Sequence, residues 1–256
     1  METAMISSGL ILYHGMASTC SKKVRMCLYE KNADFESRLL DLQKFEQHST
    51  EYLAINSNGV VPTLVHNGRS ITESSVIIEY IDDVFPAIPL SPEDAFERAQ
   101  MRLWIRFSDE VAYKAVYAPT WQKLRHRAEE GLAGENLTGT LSKIPTAERR
   151  DRWQRMAQGG FTQTEIDAAY QLMQTCLDRA EKQLLKTNWL AGKNFSLADI
   201  AILPFIDRIA NLRPEFLVGM ERRSVREWLS RAKNRSSFEK AFFFKDDPRA
   251  SELPNF

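Results

Sequence analysis

The chain has 256 residues, which is long enough to bury a hydrophobic core without disulfide bonds or a structural metal. Lysine and arginine balance aspartate and glutamate at 34 each, so the basic excess of nucleic-acid-binding or membrane-surface proteins is missing. Three cysteines are too few for a disulfide framework, and no segment reaches the roughly 18 apolar residues that cross a bilayer. We expect a cytoplasmic protein without nucleic-acid or membrane partners, and without metal, because the four histidines lack ligand spacing.

The first third of the chain carries the pattern of a small mixed α/β domain. Its predicted elements are, in order, a strand at 10–13, a helix at 21–31, a strand at 35–40, two hairpin strands at 60–66 and 69–71, and a helix at 73–82. Asn67-Gly68 separates the two hairpin strands and is the dipeptide most typical of a tight β-hairpin. We therefore predict that residues 1–85 form one α/β domain.

From residue 86 onward the pattern changes to helix. Residues 86–91 form a proline-containing linker, and a capping residue, a proline and two acids at 91–94 mark the start of a helix. Long helical stretches are predicted at about 92–130, 164–186, 196–211 and 221–233. An irregular excursion is predicted over 131–160, and the last ten residues are expected to be loose. Residues 92–256 are thus predicted to form an all-helical domain.

Val61-Pro62 stands just before the hairpin turn. Proline within a strand removes a hydrogen-bond donor from the ladder, so it belongs at an edge or in a special turn. A cis bond here would turn the backbone N–H and C=O of Val61 outward, where both groups can pair with an extended peptide. Since most bonds before proline are trans, an ordinary trans proline remains the alternative.

Thr72-Glu73-Ser74 opens the next predicted helix. The amide groups and dipole at a helix N-terminus favour a carboxylate, which the Ser74 hydroxyl can hold while Glu73 binds an ammonium group. The pair therefore suits one α-amino acid group. The alternative is that Thr72 caps the helix and Glu73 complements its dipole.

Ser18-Thr19-Cys20-Ser21 lies between the first strand and the first helix. A hydroxyl here can donate to a thiolate, and the helix N-terminus would lower the pKa of a nearby thiol. Cys20 shares a helix face with Val24, which favours burial of the cysteine as a small apolar residue. The serines can equally act as N-caps.

The order of these motifs along the chain is more specific than any of them alone. Together with a capping box formed by Ser196 and Asp199, it resembles the glutathione S-transferase superfamily over essentially the whole chain. The resemblance implies glutathione as co-substrate. It also implies a thioredoxin-like α/β N-terminal domain, followed by an all-α C-terminal domain that carries the hydrophobic substrate site.

Longer strings resemble one subfamily, the bacterial β-etherases, which use glutathione to cleave β-aryl ethers of lignin. These strings are residues 44–49 and the insertion at 144–161. The first-helix motif is closer to the zeta-class pattern of maleylacetoacetate isomerase. The residue that faces the glutathione sulfur is therefore Ser18 by zeta-type alignment, Ser21 by β-etherase alignment, or Cys20 by alignment with cysteine-dependent classes.

The resemblance also implies the residues of the site. A hydroxyl of Ser18 or Ser21 would stabilise the thiolate. The residues implied for binding glutathione, from its cysteinyl part to its γ-glutamyl and glycyl ends, are Val61, Pro62, Glu73, Ser74, Gln47 and Lys44. The residues expected to bind the aromatic substrate are Met16, Trp104, Phe107, Tyr117 and Trp121. Charges in the insertion, such as Arg149-Arg150, are expected on the solvated surface.

The expected reaction is attack of glutathione sulfur on a carbon that carries an aryl ether next to a ketone. The products would be a glutathione thioether and a phenol. Two alternatives remain open. One is another glutathione reaction, such as an isomerisation or thioether lysis, and the other is a role as one subunit of a heterodimeric etherase. We expect a homodimer, with a heterodimer formed with a paralogue as the alternative.

Overall fold

The computed structural model describes residues 9–125, 137–245 and 247–255. It begins with a four-stranded sheet whose strands are β1 (Leu10–His14), β2 (Glu36–Leu39), β3 (Thr63–His66) and β4 (Arg69–Ile71). The strand order is β2-β1-β3-β4, with β1 parallel to β2 and antiparallel to β3. Asn67 and Gly68 turn the β3–β4 hairpin with φ angles of 50° and 78°, which is the conformation that this dipeptide favours.

Three helices accompany the sheet, namely α1 (Thr19–Glu30), α2 (Thr50–Ile55) and α3 (Ser74–Val84). The sheet packs on α1 and α3 through fully buried apolar side chains such as Leu12, Val24 and Ile77. The short helix α2 lies in a segment that the sequence pattern left unassigned. Its six residues are too few to show a helical period, because the four apolar ones stand in a single run.

The described residues beyond this sheet are mostly helical. The helices are α4 (Ala95–Phe107), α5 (Tyr113–Lys123), α6 (Leu137–Ser142), α7 (Ala147–Ala157), α8 (Gln163–Leu184), α9 (Leu197–Leu212), α10 (Arg223–Lys233) and α11 (Ser236–Phe243). A π-helical turn at Ser108–Ala112 joins α4 to α5. The chain therefore has a small mixed-sheet N-terminal unit and a helical C-terminal unit. Across the described ranges, no helix combines the length and apolar character needed to cross a bilayer.

The prediction of an irregular excursion over 131–160 is wrong for the described part of that segment. Helix α7 lies inside the segment predicted as irregular, where Trp153 and Met156 bury their side chains against Ile144 in a small separate core. The helix is strongly polar, and these two buried residues are too few to show a helical period of apolar positions in the sequence. Residues 126–136, which the predictions for 92–130 and 131–160 also cover, lie outside the described residues.

The sequence suggested that the last ten residues are loose. In the structure, the described part of this segment instead docks on the N-terminal unit. Arg249 donates to the carbonyl of Leu39 over 3.0 Å and lies 3.0 Å from the carboxylate of Glu46. Ala250 is buried in a cluster that also contains Met16. This segment therefore reaches the loop between β1 and α1.

Arg25 fixes the position of that loop. Its guanidinium is fully buried and donates to the carbonyls of Gly15 and Met16, each over 3.0 Å. Its Nε donates over 2.6 Å to the carbonyl of Ala241 in α11. One buried side chain thus ties the β1–α1 loop of the first unit to a helix of the second.

Candidate active site

A cavity of about 230 Å³ lies between the two units. The wall from the N-terminal unit includes Met16, Ser18, Cys20, Gln47 and Val61. The opposite wall, from α5 and α7, includes Tyr113, Tyr117, Trp121, Arg149, Arg152 and Trp153. An apolar, ring-lined cleft with a few polar groups is the usual form of a small-molecule site.

The two candidate serines have different surroundings. Ser18 is the N-cap of α1, is half-buried and lines the cavity, and its hydroxyl accepts the amide of Ser21 over 3.1 Å. Because that bond uses a lone pair, the Ser18 hydroxyl proton is available to a ligand. Ser21 is fully buried and its hydroxyl accepts the amide of Gly15 over 3.1 Å. The structure therefore favours Ser18 over Ser21 as a hydroxyl that faces the cavity.

Cys20 also lines the cavity, but its environment opposes ionisation. Burial raises the pKa of the thiol, and the nearby Lys23 and the hydroxyl of Ser74 offset this effect only in part. A protonated, buried thiol is a weak nucleophile. The contact with Ser74 shows that the start of α3 lies next to the cavity.

The peptide bond between Val61 and Pro62 is cis. Val61 lines the cavity, and no hydrogen bond within the described part of the chain uses its backbone N–H or C=O. The neighbouring carbonyl of Val60 is instead held by Tyr52 and Asn56, over 2.5 and 2.9 Å. A peptide that lies along this edge can pair with Val61.

Gln47 and Lys44, predicted at the glycyl end, occupy different positions. Gln47 is buried, lines the cavity and donates over 3.3 Å to the carbonyl of Leu42, while its Oε1 has no hydrogen-bond partner among the described residues. A buried acceptor of this kind suits a bound donor. Lys44 is exposed, does not line the cavity and lies 3.6 Å from Asp41, so its ammonium stays in solvent.

His48 lies beside Gln47 in the cavity wall. Burial, and then the charge of Arg149, lower the pKa of His48 to about 4, so the ring is neutral at pH 7. Among the described residues, no group of three or more histidine, cysteine or acidic side chains is arranged to hold a metal ion.

Glu73 and Ser74 stand at the N-terminus of α3. Glu73 has φ 65° and ψ 109°, a conformation that is rare for a residue with a side chain, and its side chain is exposed. Strained residues of this kind cluster at ligand sites. Ser74 is buried next to Cys20. Neither residue lines the cavity, but Ser74 contacts Cys20, which does.

The predicted aromatic residues divide into two groups. Tyr117 and Trp121 line the cavity, as does Met16. Trp104 and Phe107 do not. They pack edge-to-face with ring centroids 5.7 Å apart in the interior of the helical unit, and the guanidinium of Arg179 covers both rings. The shared helix face that suggested substrate contact for these two residues is a core stripe.

Sequence reasoning allowed Trp153 and Arg155 of the insertion to cover the pocket, but it missed the two arginines of α7 that line it. Arg149 was expected on the surface, but it lines the cavity and donates to the carbonyl of Asn58 in the opposite unit. Arg152 lies with its guanidinium carbon 4.8 Å from the ring centroid of Tyr117, and the Trp153 ring packs edge-to-face on Trp121. The insertion string was visible in the sequence, but an unrecognised helix gave no indication of which face pointed inward.

The glutathione S-transferase N-terminal domain family matches residues 12–89, and the C-terminal domain family matches residues 163–233. Protein LigF of Sphingobium sp. strain SYK-6 is 33% identical over 239 residues, which cover 91% of this chain and 93% of LigF. The crystal structure of the beta-etherase LigF superposes with a TM-score of 0.85 at 31% identity, covering 91% of this chain and 98% of that one.

Two further proteins match less of the chain or superpose less closely than LigF. A probable maleylacetoacetate isomerase of Caenorhabditis elegans is 41% identical over 92 residues, which cover 36% of this chain and 42% of that protein. The structure of glutathione transferase F7 from Populus trichocarpa superposes with a TM-score of 0.69 at 27% identity, covering 91% of this chain and 97% of that one.

Proposed function

This chain belongs to the glutathione S-transferase family and uses glutathione as its co-substrate, and from that membership we propose that it is a glutathione-dependent β-etherase. Its substrates would be lignin-derived aromatic ketones that carry an aryl ether on the carbon next to the carbonyl. The observation that carries this proposal is the match to the beta-etherase LigF over nearly the whole chain. The ring-lined cavity beside Ser18 supports it.

The proposed chemistry needs no nucleophile from the protein. The glutathione thiolate attacks the ether-bearing carbon, which the adjacent carbonyl makes electrophilic, and the C–O electron pair leaves as a phenoxide. A phenoxide, whose conjugate acid has a pKa near 10 like that of tyrosine, is a far better leaving group than an alkoxide. The enzyme contributes by ionising the thiol and by holding the thiolate close to the ether-bearing carbon in the orientation for attack.

Each part of glutathione has a proposed partner. The hydroxyl of Ser18 donates to the thiolate, and the backbone of Val61 pairs with the cysteinyl part. Glu73 and Ser74 bind the γ-glutamyl ammonium and carboxylate, and the buried Oε1 of Gln47 accepts a donor from the glycyl end. Tyr117, Trp121 and Met16 form the walls for the aromatic substrate.

A glutathione-dependent isomerase is the second candidate. Ser18 faces the cavity, as the zeta-type alignment implies, and part of the chain matches a probable maleylacetoacetate isomerase. Isomerisation would regenerate glutathione, whereas ether cleavage consumes it. Measuring glutathione during turnover therefore separates the two candidates.

We further propose a cytoplasmic dimer, formed with a second copy or with a paralogue. The free cysteines of the described chain are compatible with a reducing compartment. Light scattering on the purified chain tests the dimer, because a single peak at the monomer mass would contradict it.

The experiment that tests the proposed activity uses a racemic β-aryl ether ketone. The purified chain is incubated with this substrate and glutathione, while phenol release and the remaining enantiomers are followed on a chiral column. Release that stops near half conversion is the expected result for a stereospecific etherase. Absence of release, in a protein that glutathione still protects from heat, would contradict the proposal.

A further inference from the structure

Two arginines of α7 line the cavity, and neither forms a salt bridge with an acid of the described chain. The guanidinium of Arg152 lies over the rings of Tyr117 and Trp121, at 4.8 and 5.6 Å, and hydrogen-bonds the Tyr117 hydroxyl. Its Nε is buried and has no hydrogen-bond partner among the described residues. Arg149 donates to the carbonyl of Asn58, which is a neutral group.

Among the described residues, no acid forms a salt bridge with either arginine. Burial, and then the charge of Arg152, lower the pKa of Arg149, and the charges of Glu148 and Glu73 offset this effect only in part. Burial raises the pKa of Tyr117, so its phenol is uncharged at pH 7. Asp41 is an acid that lines the cavity, but its carboxylate accepts the amides of Gln43 and Lys44 and lies near the Lys44 ammonium. Arginine keeps its charge in proteins, so Arg152 is an uncompensated cation in an apolar cleft. In such surroundings a cation attracts negative charge much more strongly than it does in water.

The geometry of the proposed displacement brings the negative charge of the leaving phenoxide to this wall. Displacement at carbon is in line, so the leaving oxygen departs on the side opposite the attacking sulfur. Ser18, the proposed partner of the sulfur, belongs to the wall of the N-terminal unit, and Arg152 belongs to the wall across the cavity. A phenoxide that leaves away from the sulfur therefore moves toward α7.

We propose that Arg152 is a catalytic residue that stabilises the departing phenoxide, with Arg149 adding to the same positive field. This inference rests on the proposed etherase function. The thiolate lone pair forms the new C–S bond, the C–O bond breaks with its electron pair on oxygen, and water later protonates the phenoxide. No oxidant or reductant is required, and the guanidinium donates hydrogen bonds without giving up a proton.

A series of substrates with different leaving phenols tests this assignment. The ketone half is kept constant, and electron-withdrawing groups on the phenol progressively lower its pKa and its need for stabilisation. For Arg152→Met we expect kcat/KM to fall about 100-fold with the unsubstituted phenol, the loss typical for one oxyanion donor. With the most activated phenol the loss is expected to shrink to about threefold. Arg152→Lys, which keeps the charge, should restore much of the rate.

The matched control is Arg155→Met on the same helix. Arg155 does not line the cavity and pairs at the surface with Glu165, so this variant removes the same charge without touching the site. It should leave the dependence on the leaving group unchanged. Glutathione affinity of the Arg152 variants is measured in parallel and should equal that of the wild type.

The outcomes separate this inference from the proposed function. A loss in Arg152→Met that is equal for every leaving phenol, or no loss, would overturn the role of Arg152 while leaving the etherase intact. A wild-type enzyme that releases none of the phenols would overturn both. A loss that grows with the pKa of the leaving phenol supports the inference.

Discussion

Ser18 and Ser21 occupy the same turn of α1, yet they meet different partners. Ser18 is the N-cap and borders the cavity, whereas Ser21 is one turn deeper and bonded to the amide of Gly15. Sequence alone does not distinguish two serines three residues apart, because a serine at either position can cap the helix or face a ligand. The direction of each hydroxyl decides between them, and that depends on the tertiary fold.

We predict that removing the Ser18 hydroxyl affects catalysis, whereas removing the Ser21 hydroxyl affects stability. Ser18→Ala should lower kcat/KM for ether cleavage by about 100-fold, since the thiolate loses its donor. Ser21→Ala should lower the free energy of unfolding by about 1–3 kcal/mol, since a buried amide loses its acceptor, and the remaining folded protein should stay active. Steady-state kinetics and urea unfolding of both variants check this.

Cys20→Ser serves as the control for this pair. Because the Cys20 thiol stays protonated, its replacement should retain activity within about tenfold. Complete inactivity of this variant, together with an active Ser18→Ala, would show that the cysteine faces the sulfur.

At the scale of the element, the capping box of α9 was predicted from the sequence and is present. Asp199 is fully buried and accepts hydrogen bonds from the amides of Leu190 and Ser196, and from the indole of Trp228 over 2.8 Å. Local spacing identified the two residues of the box. The contacts to Leu190 and Trp228 depend on how α9 packs, so local spacing could not predict them.

The environment of Asp199 predicts a pH dependence of stability. Burial raises the pKa of its carboxyl from 3.8 to about 6 in the folded protein. Between pH 4 and 6 the unfolded chain releases this proton first, so the contribution of Asp199 to stability falls as pH rises through this window, by up to about 3 kcal/mol. It is then constant above pH 6. Asp199→Asn removes this titration, so its destabilisation should be larger at pH 4 than at pH 7.

Urea unfolding of the wild type and of Asp199→Asn at both pH values measures this difference. The exposed Asp83 supplies the control, because Asp83→Asn should shift stability little at either pH. An Asp199→Asn variant whose destabilisation is the same at pH 4 and pH 7 would contradict the raised pKa.

Elements with a strong local signal were predictable, whereas others depend on tertiary contacts. The β3–β4 hairpin was found from Asn67-Gly68, because that dipeptide favours the turn by itself. Helix α7 was missed because its hydrophobic partners, such as Phe45, come from distant parts of the chain. The inward positions of Arg149 and Arg152 were missed for the same reason. The domain boundary at residue 85 stays a prediction.

The C-terminal segment, residues 247–255, forms part of the cavity wall. Leu253 and Pro254 line the cavity, while Arg249 anchors the segment to Leu39 and Glu46 of the N-terminal unit. The N-terminal unit and this C-terminal segment thus line the same cavity. Apolar contact of this kind should affect the aromatic substrate more than glutathione.

We predict that a chain ending at Asp247 binds the aromatic substrate less tightly. Loss of the Leu253 and Pro254 surfaces should raise KM for the ether about tenfold, the usual cost of losing an apolar contact in a pocket. KM for glutathione should change less than about twofold. Steady-state kinetics with each substrate varied in turn measures both, and Glu252→Ala, at an exposed position of the same segment, is the control. Equal changes in both KM values would contradict the assigned position of the segment.

If glutathione sulfur replaces a phenoxide in this cavity, each turnover forms one phenol and one glutathione thioether, and a product balance measures both. The enzyme is incubated with glutathione and a β-aryl ether ketone, and mass spectrometry quantifies phenol and the glutathione thioether over time. We predict equal amounts of the two, with sulfur bonded to the carbon that carried the ether. Phenol without the thioether, or no consumption of glutathione, would contradict the account.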